Sequence, residues 1–280
     1  MIEKKPVTLP EGYVDFYKNV ETWQNEVFFR LKKRLSQNKI DAKSILSEEN
    51  RPLVELVDLD LNQELYHGAI IEFIDIVKNQ RKLAQDKLDQ ISRAIEGLDY
   101  TDLAIRVISN DQEFISDLAR KNDLAEDLLI FVLDHALRPF LRYFALPYQD
   151  SLLADENFSW NDGDCPVCGF KANFSRVRAE DGRRFLFCEH CFTEWEYKYL
   201  GCIYCGNSEP NTIRYFIVEG DDANQVFVCD KCRGYLKTFD ERKGQRKEDL
   251  FIAGIETVYL DLIAEEEGYS TKVDLNRDLN

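Results

Sequence analysis

Apolar residues recur at helical spacing through the first half of the chain. Within 12–38, Val20, Val27, Leu31 and Leu35 form one stripe, with Trp23 and Phe28 beside it. A short irregular run follows Arg51-Pro52. Residues 62–97 then carry Leu65, Ala69, Phe73, Ile76 and Val77, followed by Leu83, Leu88, Ile91 and Ile95, with Gly97 as a stop. Thr101 caps a shorter predicted helix through Ile108, and Asp111 begins another to about Arg120. Asp123 starts a long one reaching Tyr143, which Pro139 should kink or divide. Helices without intervening strands predict a helical bundle over 1–160.

Residues 150–164, with their Ser, Asp, Asn and Gly, read as a linker. Beyond 165 the period shortens toward two. Strands are predicted at Phe174–Arg178, Arg184–Phe187, Tyr197–Leu200, Ile213–Val218 and Gln225–Val228. Glu180-Asp181-Gly182 and Glu219-Gly220-Asp221-Asp222 supply hairpin turns. Helical spacing returns over 246–267 through Leu250, Ile252, Ile255, Val258, Leu262 and Ile263. The pattern as a whole predicts an α+β protein.

Cysteine usage gives the strand-rich half its chemistry. All eight cysteines fall in C-x-x-C pairs: Cys165/Cys168, Cys188/Cys191, Cys202/Cys205 and Cys229/Cys232. Two thiolates two residues apart fit one tight turn, whose backbone N–H groups point at the sulfurs. Two such turns joined by a hairpin make a tetrahedral S₄ cage. The simplest pairing puts the first two pairs in one site and the last two in another. Gly169 and Gly206 follow the opening pairs and suit the left-handed position that closes the turn. Apolar strands enter Cys188 and Cys229, and Trp195, Tyr197, Tyr235 and Phe239 follow, either shielding the cages or forming the core around them. Disulfides and redox dithiols are the alternatives. Reducing conditions and a chain long enough to build a core weigh against disulfides, and four pairs at matched spacing weigh against a single redox motif.

Composition narrows the function. The 280 residues carry a net charge of −16, and both halves are acidic. A negative field repels phosphate backbones, so no nucleic-acid partner is expected. No run of about 18 apolar residues occurs, and Met1-Ile2-Glu3-Lys4-Lys5-Pro6 lacks the apolar core of a signal peptide. A soluble, cytoplasmic chain is expected, not an integral membrane protein. His67 and His135 sit in helical stretches and read as structural. His190 would ligate only if a neighbouring cysteine withdrew. No Gly-rich phosphate loop or nucleophile elbow is present, and a closed Cys₄ cage leaves no open position for hydrolysis. No catalytic residue is assigned.

The cysteine motifs and their flanks resemble those of the FdhE family, accessory proteins of formate dehydrogenase maturation. The matching residues are Cys165-Pro166-Val167-Cys168-Gly169, then Cys188 and Cys191 with Thr193-Glu194-Trp195. Next come Cys202 and Cys205, then Cys229 and Cys232 with Tyr235-Leu236-Lys237, and finally Glu267-Gly268-Tyr269. The resemblance covers about 165–270; over 1–160 only helicity and length agree. It implies an elongated helical domain at 1–160, a first rubredoxin-like, zinc-ribbon-like module at 161–200, and a second at 201–280 ending in a helix. It also implies a non-enzymatic cytoplasmic role, binding the immature catalytic subunit of formate dehydrogenase before export. Two metal ions are implied, with iron favoured and zinc also accepted by four thiolates. A rubredoxin-like electron carrier is the alternative function.

Overall fold

The computed structural model describes residues 9–35, 46, 49–80, 85–153, 159–245 and 248–271. These form two compact units. One takes Met1–Tyr17, Ile40–Leu56 and Pro147–Asn280; the other takes Lys18–Lys39 and Val57–Leu146.

The second of these units is helical. It holds most of α1 (Tyr13–Arg34), then α3 (Gln63–Gln80), α4 (Gln85–Ala94), α5 (Tyr100–Ile108), α6 (Gln112–Lys121) and most of α7 (Glu126–Leu153). The expected stripes face inward. Val20, Trp23, Val27 and Leu31 of α1 are buried, as are Ile70, Phe73, Ile74 and Val77 of α3. Trp23 stacks on Phe73 with ring centroids 5.1 Å apart. Residues 36–38 and Leu83 lie outside the described residues.

Several helix boundaries differ from the sequence expectation. Asp99, not Thr101, caps α5, its carboxylate accepting from the Thr101 and Asp102 amides. Asp111 caps α6 as expected. Asp123 takes a left-handed φ of 52°, and α7 begins only at Glu126. It then runs through Pro139 without division. A mid-helix proline costs roughly 3 kcal/mol. Burial of Ala136, Leu137, Phe140 and Leu141 around it offsets that cost.

The other unit is built on one sheet. Its strands are β1 (Phe174–Val177), β2 (Arg184–Phe187), β3 (Glu194–Tyr197), β4 (Ile213–Val218), β5 (Asp221–Cys229) and β6 (Tyr235–Asp240). The order is β3-β2-β1-β6-β5-β4. All neighbours are antiparallel except β1 and β6, which run parallel from Phe174↔Lys237 to Val177↔Asp240. The strand expected at Tyr197–Leu200 lies three residues earlier, because its pairing with β2 sets Arg184 opposite Tyr197. The strand expected at Gln225–Val228 is longer at both ends, and β6 was not anticipated. The short helix α2 (Leu53–Leu56) replaces the irregular run after Pro52.

Beyond β6 lie α8 (Glu241–Gly244), α9 (Leu250–Glu256) and α10 (Val258–Glu266). The single helix expected over 246–267 is therefore two. Thr257 separates them, its hydroxyl bonding back to the Ala253 carbonyl at 2.6 Å. Phe251, Ala253 and Ile255 pack with Phe174 and Phe239, while Leu260, Ile263 and Ala264 pack with Val226, Val228 and Tyr235. Part of the expected linker is packed as well: Trp160 is buried and its indole donates to the Asp164 carbonyl at 2.7 Å.

Candidate metal centres

The four C-x-x-C turns share one backbone design. In each, the amide of the first cysteine bonds the carbonyl five residues on: Cys165 to Phe170, Cys188 to Thr193, Cys202 to Asn207 and Cys229 to Gly234, at 2.8–3.0 Å. The residue four positions on then bonds back to that cysteine's carbonyl, again at 2.8–3.0 Å. That fifth residue has positive φ each time: Gly169 at 78°, Phe192 at 61°, Gly206 at 68° and Arg233 at 61°. The opening turns meet this demand with the expected glycines. The closing turns tolerate it in larger side chains that pack: Phe192 against Phe187 and Phe251, and Arg233 over the Tyr269 ring.

The hairpins bring these turns together in the expected pairing. The thiols of Cys165, Cys168, Cys188 and Cys191 form one cluster, and those of Cys202, Cys205, Cys229 and Cys232 another. Within each cluster all sulfurs lie within 4.8 Å of one another. Cys165–Cys191 and Cys168–Cys188 are 3.4 Å apart, as are Cys202–Cys232; Cys205–Cys229 are 3.8 Å apart. A metal bound to four sulfurs at 2.3 Å spaces them about 3.8 Å apart. The donor sets thus fit a tetrahedral ion with little adjustment, and all eight cysteines are free thiols.

Charge is distributed alike in both clusters. Burial pushes Cys165 and Cys168 well above the ordinary thiol range. At Cys188 burial acts in the same sense, but hydrogen bonds from Cys165, Cys168, Cys191 and His190 outweigh it and hold the thiol well below. In the second cluster burial lifts Cys202 to about 12 and raises Cys232. Cys229 is lowered against burial by the Cys232 and Lys231 amides and the Asn207 side chain. In each cluster the first cysteine of the closing turn is thus lowered while buried partners are raised. In the second cluster the expected N–H groups are in place, with the Tyr204 and Cys205 amides directed at the Cys202 sulfur.

The clusters differ in exposure. All four cysteines of the first are fully buried, whereas Cys205 and Cys232 of the second retain solvent access. The turns of the first are braced by segments outside its hairpin. The amides of Leu53 and Val54 in α2 bond the carbonyls of Pro166 and Val167, both at 2.9 Å, and Gln149 donates to the Cys191 carbonyl at 2.8 Å.

His190 is not among the donors; it stacks on Phe170 with centroids 3.8 Å apart. His67 stacks on Tyr100, and His135 packs against Phe73 and Phe131. Trp195 and Tyr197 are buried and bond the Asp162 and Cys202 carbonyls. Tyr235 and Phe239 belong to the helix-facing core. Three side chains beside the sulfurs carry no ligand role in the sequence reading, Thr193 entering it only as a flanking motif residue. Thr193 Oγ1 lies 3.1 Å from Cys191 Sγ, Asn207 Nδ2 lies 3.5 Å from Cys229 Sγ, and Arg184 borders the second cluster. Thr193 and Asn207 each sit two residues beyond a ligand pair; the Thr193 hydroxyl accepts from the Cys191 thiol, and the Asn207 amide donates to the Cys229 sulfur. Arg184 has no comparable local signal.

Fold and site together define an α+β protein with a helical N-terminal region and a sheet carrying two four-cysteine clusters able to hold two metal ions. Residues 164–199 match the family model of the FdhE central domain. Over 160 residues the chain is 38% identical to an FdhE homolog of Aquifex aeolicus, covering 56% of this chain and 54% of that protein. Over 112 residues it is 30% identical to an FdhE homolog of Pseudomonas aeruginosa, covering 38% and 36%. The matched stretch thus spans about half, or less, of these relatives' length. The crystal structure of the FdhE protein from Pseudomonas aeruginosa superposes with a TM-score of 0.60 over 93% of this chain and 87% of that one, at 20% identity, so the two share a fold. The FdhE family is the one this chain resembles, in sequence over as many as 160 residues and in fold over most of its length.

Proposed function

We propose that this chain is an accessory protein of formate dehydrogenase maturation. On this reading it acts in the cytoplasm and binds the immature catalytic subunit before export, without catalysing a reaction itself. Cys165, Cys168, Cys188 and Cys191 hold one metal ion; Cys202, Cys205, Cys229 and Cys232 hold the other. The carrying observation is the pair of complete four-sulfur clusters on a fold shared with an FdhE protein. Iron is favoured by the family resemblance, and zinc suits the same donors. No helix among the described residues is long and apolar enough to cross a membrane.

The domain division follows the metal chemistry: a helical domain over 1–160, a first module over 161–200, and a second over 201–280. The β1–β6 ladder joins the strands of the two modules in one sheet. The solvent access of Cys205 and Cys232 favours a second reading, an electron carrier in which iron at that cage changes oxidation state.

The test is affinity capture from a host making formate dehydrogenase. Recovery of the catalytic subunit, with no formate oxidation by the pure chain, supports the accessory reading. Absence of that subunit, together with reversible bleaching of the iron-loaded chain by dithionite, supports the carrier.

A further inference from the structure

Arg184 lies on β2, in the hairpin of the first cysteine cluster, and is only 1% exposed. Its Nε donates to Ser175 Oγ at 3.2 Å. Its Nη1 donates to the Tyr199 and Gly201 carbonyls at 3.3 and 3.2 Å. The guanidinium sits 4.5 Å from the centre of the Phe227 ring. Every acceptor is neutral, and among the described residues no carboxylate pairs with it. Arg176, on the neighbouring strand, shows the contrast: it is held between Glu194 and Glu241. A buried cation with no counter-ion is costly, and structures retain one where another charge balances it. Burial also lowers the Arg184 pKa to about 10.

The surroundings supply that charge. Arg184 lines a small cavity together with Cys202 and Cys229. The Gly201 carbonyl it holds immediately precedes Cys202, and Phe227 packs against Cys202 and Cys229. Four thiolates around a divalent ion leave a net charge of about −2. We propose that Arg184 is the counter-charge of the second cage and sets how tightly that cage holds its metal. The first hairpin thereby contributes a residue to the second metal site. This inference rests on reading the cages as metal sites.

The test is zinc competition against a chromophoric chelator, using the full chain. The binding step missing from a C202S/C205S variant belongs to the second cage. In R184Q that step should weaken about 10–100-fold while the first is unchanged. R184K keeps the charge but loses the planar fork, and should bind the second zinc within about threefold of the parent. Unchanged second-site affinity in folded R184Q overturns the proposal. So does an equal loss in R184K and R184Q, which would mark a clamp on the Tyr199 and Gly201 carbonyls instead. If circular dichroism shows R184Q unfolded, R184K decides: retained affinity supports the counter-charge, and lost affinity overturns it. A parent chain that binds no zinc through its thiols overturns the metal reading itself, and this inference with it.

Discussion

A Cβ atom on Gly163 would lie 2.2 Å from the carbonyl oxygen of Ile203. Gly163 precedes the first ligand turn, and Ile203 lies between Cys202 and Cys205 in the third. The backbone of one metal module is thus seated directly on a ligand turn of the other. Gly163→Ala forces these segments apart. Overpacking of this kind costs about 1–3 kcal/mol. The zinc-loaded variant should unfold at lower denaturant, with the second zinc released first. An unshifted midpoint would show that the seat is not rigid.

Gly206 tests the backbone demand of the turns without packing. Its φ is 68°, and an added Cβ would meet nothing within 4 Å. Gly206→Ala should cost only the left-handed conformation, about 1–2 kcal/mol. Gly206→Asn should cost less, because asparagine tolerates that region. Denaturation of the three zinc-loaded proteins should rank Gly above Asn above Ala. Equal stability would remove the steric account.

These backbone demands show why the metal sites were legible in the sequence. Thiolate spacing and a following glycine are local requirements, so Cys165-Pro-Val-Cys168-Gly169 announces its turn by itself. Helical stripes such as Val20, Val27 and Leu31 are equally local. Strand β6 is not. All six of its residues are buried, Lys237 and Thr238 included, so no polar and apolar alternation marks it. Lys237 is tolerated there because Asp261 of α10 and the Gly254 carbonyl accept its ammonium, and Thr238 because Ser175 of β1 lies 2.6 Å away. Arg184 was hidden for the same reason: its partners are assembled by the fold. Thr257 broke the predicted last helix through its own side chain, a competition that apolar spacing does not register.

In the helical unit, Glu72 accepts from Nη1 and Nη2 of Arg30 and from the Trp23 indole, the last at 2.9 Å. The Arg30 hydrogen bonds, opposed by partial burial and aided by Trp23, hold its carboxyl below the ordinary value of 4.5. The folded-state pKa is depressed, so the contribution is present above about pH 4.5 and is lost as pH falls through the lower folded value. The ion pair is nearly half exposed, which limits the effect to about 1 kcal/mol or less. Glu72→Gln should lower stability at pH 7, and the gap should close in acid. Far-UV circular dichroism, dominated by the helices, reports mainly this unit. A gap that persists below pH 3 would assign the effect to packing.

The two cages depend on each other unequally. The third ligand turn is supported from the first module at several points. The Tyr197 hydroxyl donates to the Cys202 carbonyl at 3.0 Å, Lys171 reaches the Ile203 carbonyl at 3.4 Å, and Arg184 brings its charge beside Cys202 and Cys229. The first cage has no equivalent need of the second. Its turns are braced by α2 and Gln149, and its sulfurs are already buried. Metal–thiolate bonding supplies folding energy on the order of 10 kcal/mol. Emptying the first cage should therefore loosen Tyr197, Lys171 and Arg184 together, and the second cage should feel it. C165S/C168S should lose one zinc outright and bind the other more weakly than the parent. C202S/C205S should lose one zinc and hold the other with unchanged affinity. Chelator competition on the three proteins measures both effects. Undiminished binding of the remaining zinc in C165S/C168S would show that the cages assemble independently. Equal weakening in both variants would make the dependence mutual, and the shared sheet, not the supports around Cys202, would then be its route.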